Sequence, residues 1–291
     1  MDILTNYTFQ IVALGSVLLA VAAAPVGAFS VYKGQSLIGD AIGHSTFPGI
    51  ILAYMAFATR SPVILLAGAI LAGAASYALI QLAHRDKRLG LDANLAIFLS
   101  GFFGLGMALK SFIQGNPDYA GASQAGLGTY IFGQAAYMLE ADVLLIAAVS
   151  ALVLTLLLLF YKELKLFVFD AEYAEVVGLP CRLLNLLLLV MTIAVIGIGI
   201  KAVGAILISS FLIIPCVAAN QWSNNFARVL LLSSLIGAVS ALVGTYISTL
   251  EQGMSTGPSI ILVASLIAFF SIVFGTKGIL GSVLKRRRTH G

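Results

Sequence analysis

Asp40 and His44 stand four residues apart in QSLIGDAIGHSTFPGIILAY, the stretch from Gln35 to Tyr54. On a helix that spacing puts both side chains on one face with their Cβ atoms about 6 Å apart, close enough for a carboxylate oxygen and an imidazole nitrogen to hold one cation. The segment around them is otherwise apolar. A carboxylate at mid-bilayer costs about 3 kcal/mol even on the lenient insertion scale, so an intramembrane Asp is read as facing a cavity or a pathway. The alternative is that Asp40 and His44 pair with each other as helix glue.

The elements that must position the pair are membrane helices. Of the 291 residues, 60% are hydrophobic and 10% charged, the composition of a polytopic membrane protein and not of soluble domains. The formal charge of +4 is a matter of topology, and the basic residues lie at loop ends instead of on one face, which argues against nucleic acid. The first apolar run begins near Phe9, after MDILTNYT, without a basic leader, and reads as a retained helix. Cys181 and Cys216 show neither metal-site spacing nor a disulfide framework.

At about 20 apolar residues per span, the chain holds about nine helices: 8–30, 36–58, 62–83, 93–112, 141–161, 182–200, 202–220, 228–249 and 257–275. Eight or ten are the alternatives. The sixth and seventh must turn almost at once, and TYIFGQAAYM could form a helix lying at the interface. Gly34, Gly39, Gly43 and Gly49 thin one side of the second helix, and Pro48 is expected to kink it beyond His44.

With the N-terminus outside, the inner loops hold Lys33, Arg85, Lys87, Arg88, Lys162, Lys165, Arg182, Arg228, Lys277 and the run Lys285 to Arg288. That leaves Arg60, Lys110 and Lys201 outside, the bias of the positive-inside rule. The C-terminus is then cytoplasmic. On this topology every acid except Asp40 falls at a helix end or in a loop.

The cytoplasmic insert LKLFVFDAEYAEVVGLPCR, Leu164 to Arg182, carries a second signal. Asp170 can cap a short helix from Ala171 to Val177, Glu172 suits its first turn, Gly178 its end, and Pro180 stops continuation. An ordinary amphipathic connector is the plainer reading. Missing motifs narrow the choice further. There is no GxxxxGK[ST] phosphate loop and no HExxH, a two-Asp protease would need a second buried acid, and Ser209 and Ser210 read as helix-packing hydroxyls.

Taken together, QSLIGDAIGH with PGIILAY, YIFGQAA (130–136), FDAEYAEVVGLP, VGAILISSFLIIP (203–215) and TGPSIILVAS (256–265) resemble the membrane permease subunit of bacterial ATP-binding-cassette importers for manganese, zinc or iron, the metal-chelate permease family. The resemblance runs nearly end to end, and the opening TNYTFQIVALGS looks like its iron and manganese branch. It implies a single permease domain over 1–291, all-α, with no permanently bound cofactor and no enzymatic activity of its own. It also implies that Asp40 and His44 line the metal path. Phe169 to Pro180, with Phe169, Asp170, Glu172, Ala174, Glu175, Gly178, Leu179 and Pro180, resembles the coupling helix that docks on the ATPase.

The implied partners are two ATPase subunits, an extracytoplasmic metal-binding protein, a second copy of the chain and the lipid of the cytoplasmic membrane. Three departures from the family pattern stand out. Gly43 sits where a Ser commonly precedes the His, Cys216 with Val217 interrupts a small-residue run, and Asn220 replaces a basic residue before Gln221 and Trp222. Cys216 reads as a small packed hydrophobe. The runner-up is a secondary carrier in which Asp40 exchanges protons for cations without an ATPase. One carboxylate and one imidazole suit Mn(II), Fe(II) and Zn(II) alike.

Overall fold

The structure is a computed structural model, and it describes residues 6–59, 61–84, 90–116, 119, 138–250 and 254–280. The described residues form helices joined by short connections. In chain order these are α1 (Tyr7–Tyr32), α2 (Ile38–Phe57), α3 (Pro62–His84), α4 (Leu91–Gly115), α5 (Glu140–Leu159), α6 (Tyr161–Phe169), α7 (Ala171–Val176), α8 (Cys181–Val203), α9 (Ala205–Asn220), α10 (Phe226–Leu250) and α11 (Thr256–Phe274). Each of the nine expected long helices is present within a few residues of its expected bounds. The YIFGQAA segment lies outside the described residues.

Seven of these helices are long and apolar enough to cross a membrane among the described residues, and α9 is a shorter apolar one. The remaining long helix, α2, spans 20 residues but carries Asp40, His44, Ser45 and Thr46, which lower its hydropathy. Large apolar side chains such as Leu71, Leu144, Leu158 and Leu231 stand exposed around the helices. In water that much apolar surface would drive aggregation; in lipid it is the solvated face. The chain is an all-α polytopic membrane protein.

Two compact units make up the chain. The first comprises Met1–Ser36, Ala135–Thr192 and Ser210–Gly291. Its centre is α1, in which Leu19, Ala20, Ala22, Ala23, Ala24, Val26 and Phe29 are wholly buried, with α5 and α10 against it. Small residues make that closeness possible: a Cβ on Gly27 would fall 1.9 Å from the carbonyl oxygen of Leu212. Near the end of α1, Phe226 gathers Phe29, Tyr32, Tyr161 and Phe169 around it, with ring centroids 4.9, 5.1, 6.3 and 5.1 Å away.

The second unit comprises Leu37–Gln134 and Ile193–Ser209. Here α3 runs antiparallel to α2, with Gly49 facing Gly68 and the hydroxyls of Ser45 and Ser76 2.8 Å apart. Next to them α4 runs parallel to α2, with Phe103 against His44 and Gly106 against Phe47 and Pro48. Helix α2 continues through Pro48 to Phe57.

Between α8 and α9 the helix is interrupted by one residue. Gly204 sits at φ +86°, in the left-handed region that only glycine enters without strain. The near-immediate turn expected there is this break. An unexpected element is α6, which extends helix into Tyr161–Phe169 by burying Leu164 and Phe167 while Lys162 and Lys165 stay exposed.

Candidate functional site

Helix α2 begins after a turn in which Gly34 takes φ +75°. Leu37 caps the helix without a side-chain hydrogen bond, and its carbonyl accepts from the N–H of Ala41 at 3.0 Å. Asp40 therefore lies in the first turn of α2. The physical consequence is favourable. An acidic side chain suits the first turn of a helix, where the dipole is positive.

His44 follows one turn later, and its Nε2 lies 3.5 Å from Oδ1 of Asp40. A divalent ion held tetrahedrally, with bonds of about 2.0–2.2 Å to nitrogen and oxygen, separates two of its ligands by about 3.4 Å. The pair is thus already spaced as two ligands of one ion. Its exposure is graded: the Asp40 side chain is 33% accessible and that of His44 17%, so the carboxylate is open to an arriving ion while the imidazole is held. The holding group is Phe103, whose ring meets the imidazole edge-on at 5.0 Å and 81°.

Neighbouring hydroxyls are committed elsewhere. Ser45 donates to the carbonyl of Ala41 at 2.6 Å, and Thr46 to that of Gly43 at 2.6 Å. Ser209 donates to the carbonyls of Ala205 and Ile206, the packing role expected of it. Cys216 is buried and belongs to the first unit, whereas Asp40 and His44 belong to the second. Among the described residues, no cluster of three or more His, Cys, Asp or Glu side chains is placed to hold a metal. Two ligands alone would suit only brief coordination of an ion, because a site that binds tightly cannot release.

The second predicted segment is built as its residues dictate. Asp170 accepts the N–H of Tyr173 at 2.9 Å and so caps α7, with Glu172 in the first turn. At the other end the N–H of Leu179 bonds the carbonyl of Ala174 and that of Gly178 the carbonyl of Glu175, both at 3.0 Å, with Gly178 at φ +86°. This is the Schellman arrangement, and it requires glycine at 178. Pro180 then precedes the start of α8 at Cys181.

Not every residue named for this segment faces outward. Ala174 is wholly buried and Leu179 half-buried, so both hold the helix down. Phe169 is half-exposed, with its ring against Tyr32 and Phe226, while Asp170, Glu172, Glu175 and Pro180 are exposed. Sequence reasoning misses Tyr173, Val176 and Val177, which α7 presents to solvent, Val176 at 83%. A signal for them exists: apolar residues on a six-residue helix too short and too charged to enter the membrane have no lipid to face.

Three comparisons with known proteins bear on this architecture. Residues 5–275 match the ABC 3 transport family. The zinc transport system membrane protein TroC of Treponema pallidum is 39% identical over 289 residues, covering 99% of this chain and 96% of that protein. The manganese transport system membrane protein MntC of Bacillus subtilis is 38% identical over 285 residues, which is 96% of this chain and 65% of that longer protein. Among solved structures, PsaBC from Streptococcus pneumoniae in complex with Fab superposes with a TM-score of 0.82 at 27% identity, over 94% of either chain.

Proposed function

The chain belongs to the ABC 3 transport family, and from that premise we propose that it is the membrane-spanning subunit of an ATP-driven importer that carries a divalent transition-metal ion, manganese, zinc or iron, inward across the bacterial cytoplasmic membrane. The observation that carries the reading is the Asp40–His44 pair, spaced at 3.5 Å as two ligands of one ion. The names of the Treponema and Bacillus relatives support the class of cargo. Metal identity follows from neither, since both ligands serve all three ions.

In this reading the whole chain is one permease domain, its N-terminus outside and its C-terminus cytoplasmic, and it hydrolyses nothing. Each of two partner ATPases receives one α7, with Tyr173, Val176 and Val177 as the apolar contact and Glu172 and Glu175 beside it. Two such helices require two copies of the chain, and a homodimer is the simplest closed arrangement. An extracytoplasmic binding protein delivers the ion and selects it.

The test is reconstitution of the chain with its ATPase and binding protein in proteoliposomes. Metal uptake that needs ATP and survives an uncoupler is expected. Uptake that needs no ATP and collapses with the uncoupler would instead mark a secondary carrier, with Asp40 exchanging protons for cations.

A further inference from the structure

The end of α1 is gripped from both sides of α7. Phe167 and Phe169 close α6, just before Asp170 caps α7, and Asn185 stands near the start of α8, just after it. All three reach the same two residues. The Tyr32 ring lies 5.3 Å from that of Phe169, and both rings pack on Phe226 at 5.1 Å. The Lys33 ammonium donates to Oδ1 of Asn185 and sits 4.9 Å from the centre of the Phe167 ring.

These contacts are built to pass a movement on. Phe167 and Phe226 are buried, and close-packed rings shift together instead of compressing. The end of α1 is stiff as well. The N–H of Gln35 bonds the carbonyl of Ser30 at 2.9 Å and that of Gly34 the carbonyl of Val31 at 3.0 Å, with Gly34 at φ +75°, the same Schellman end that closes α7. Gln35, Ser36 and Leu37 then lead into α2, and Asp40 follows Lys33 by seven residues.

Lys33 is also a destabilising choice for its place. It is half-buried, where a Met would fill the space without a charge to desolvate. A residue that lowers stability where an apolar one fits is accounted for by what it does.

We propose that Tyr32 and Lys33 are positioning residues for transport: through Phe169, Phe167 and Asn185 they carry the displacement that the ATPase imposes on α7 into the turn that leads to Asp40. The Tyr32 hydroxyl, which donates to Asn220 at 2.9 Å, is a separate tie to the end of α9. This inference rests on the reading of α7 as the ATPase dock.

The test measures manganese taken up per ATP hydrolysed, at equal assembled complex, in proteoliposomes holding the chain with its ATPase and binding protein. Lys33→Met and Tyr32→Leu should each lower that ratio about two- to thirtyfold, the range over which changes along a coupling network act. Tyr32→Phe keeps the rings in contact and should couple like the native chain. Phe270→Leu removes a ring from the exposed stack with Phe274 on α11 and should leave the ratio unchanged.

A merely structural role for Lys33 would shift the unfolding midpoint and leave the ratio native, whereas the joint lowers the ratio in Lys33→Met while the midpoint near pH 7 holds or rises. A native ratio in Lys33→Met, a Tyr32→Phe no better than Tyr32→Leu, or an equal fall in Phe270→Leu overturns the proposal. Should Tyr32→Leu fail to assemble, Lys33→Met decides. Gly178→Pro, measured alongside, separates the two levels: uncoupling there with a native ratio in Lys33→Met removes this inference alone, and native coupling in Gly178→Pro removes the reading of α7 beneath it.

Discussion

Gly49 and Gly68 fill each other's missing side chains: a Cβ on Gly49 would lie 2.1 Å from the carbonyl oxygen of Gly68, and one on Gly68 2.4 Å from that of Gly49. The two backbones define where α3 crosses the helix that carries Asp40 and His44. One added methyl on either side must push α3 away, since the obstructing atom is backbone and cannot swing aside.

Gly49→Ala is therefore expected to destabilise the protein by about 1–3 kcal/mol, the usual cost of overpacking. Gly101→Ala is the control. Nothing lies within 4 Å of a Cβ at Gly101, on an exposed turn of α4, so the same change should be neutral or stabilise by up to about 1 kcal/mol. Thermal unfolding midpoints in detergent distinguish the two, and equal midpoints would mean that the two backbones do not touch at this crossing.

The end of α7 yields a second prediction. Gly178→Pro forces φ from +86° to about −65° and removes the N–H that bonds Glu175. Glu172→Lys places a cation at the positive end of the helix, a loss of about 0.3–1 kcal/mol. Both variants should insert normally and leave ATP hydrolysis running while uptake per ATP falls. Native coupling in both would make the segment a mere connector.

The third concerns Lys33, just past the end of α1. Its ammonium donates to Asn185 and lies 4.9 Å from the centre of the Phe167 ring, and burial lowers its pKa from 10.5 to about 8. The folded state thus gives up this proton before the unfolded state does, so stability rises with pH between about 8 and 10.5, and below that window the buried charge is a cost. Lys33→Met should stabilise the fold near pH 7 and so raise the unfolding midpoint, by at most about 3.5 kcal/mol at about 1.4 kcal/mol per pH unit, less the cation–π and hydrogen-bond contributions it forfeits. The advantage should vanish by about pH 10.5. A pH-independent difference would contradict the burial account.

Much of the fold is legible in the sequence, because a bilayer demands long apolar runs and tolerates one helix per run. The capped helix after Asp170 is legible for a similar reason, since Asp, Gly and Pro each have few uses at their positions. Helix α6 is not: the charges of Lys162, Glu163 and Lys165 end the hydropathy signal, yet its helix survives on the burial of Leu164 and Phe167. The place of Asp40 near the start of α2 is legible, since the apolar run puts the helix at 36–58 and it is found at Ile38–Phe57. Spacing alone cannot reveal that Gly49 is a backbone-to-backbone contact, which depends on the helix opposite.

Asp40→Asn tests the central claim most directly. Asparagine keeps the shape and can still hydrogen-bond His44, so a purely structural pair would leave transport largely intact, whereas a cation path without its carboxylate fails. The measurement is metal uptake by cells, normalised to the amount of assembled complex, with His44→Ala beside it. Uptake abolished or sharply reduced in both variants at unchanged assembly is the result this account predicts, and near-native uptake in Asp40→Asn would contradict it.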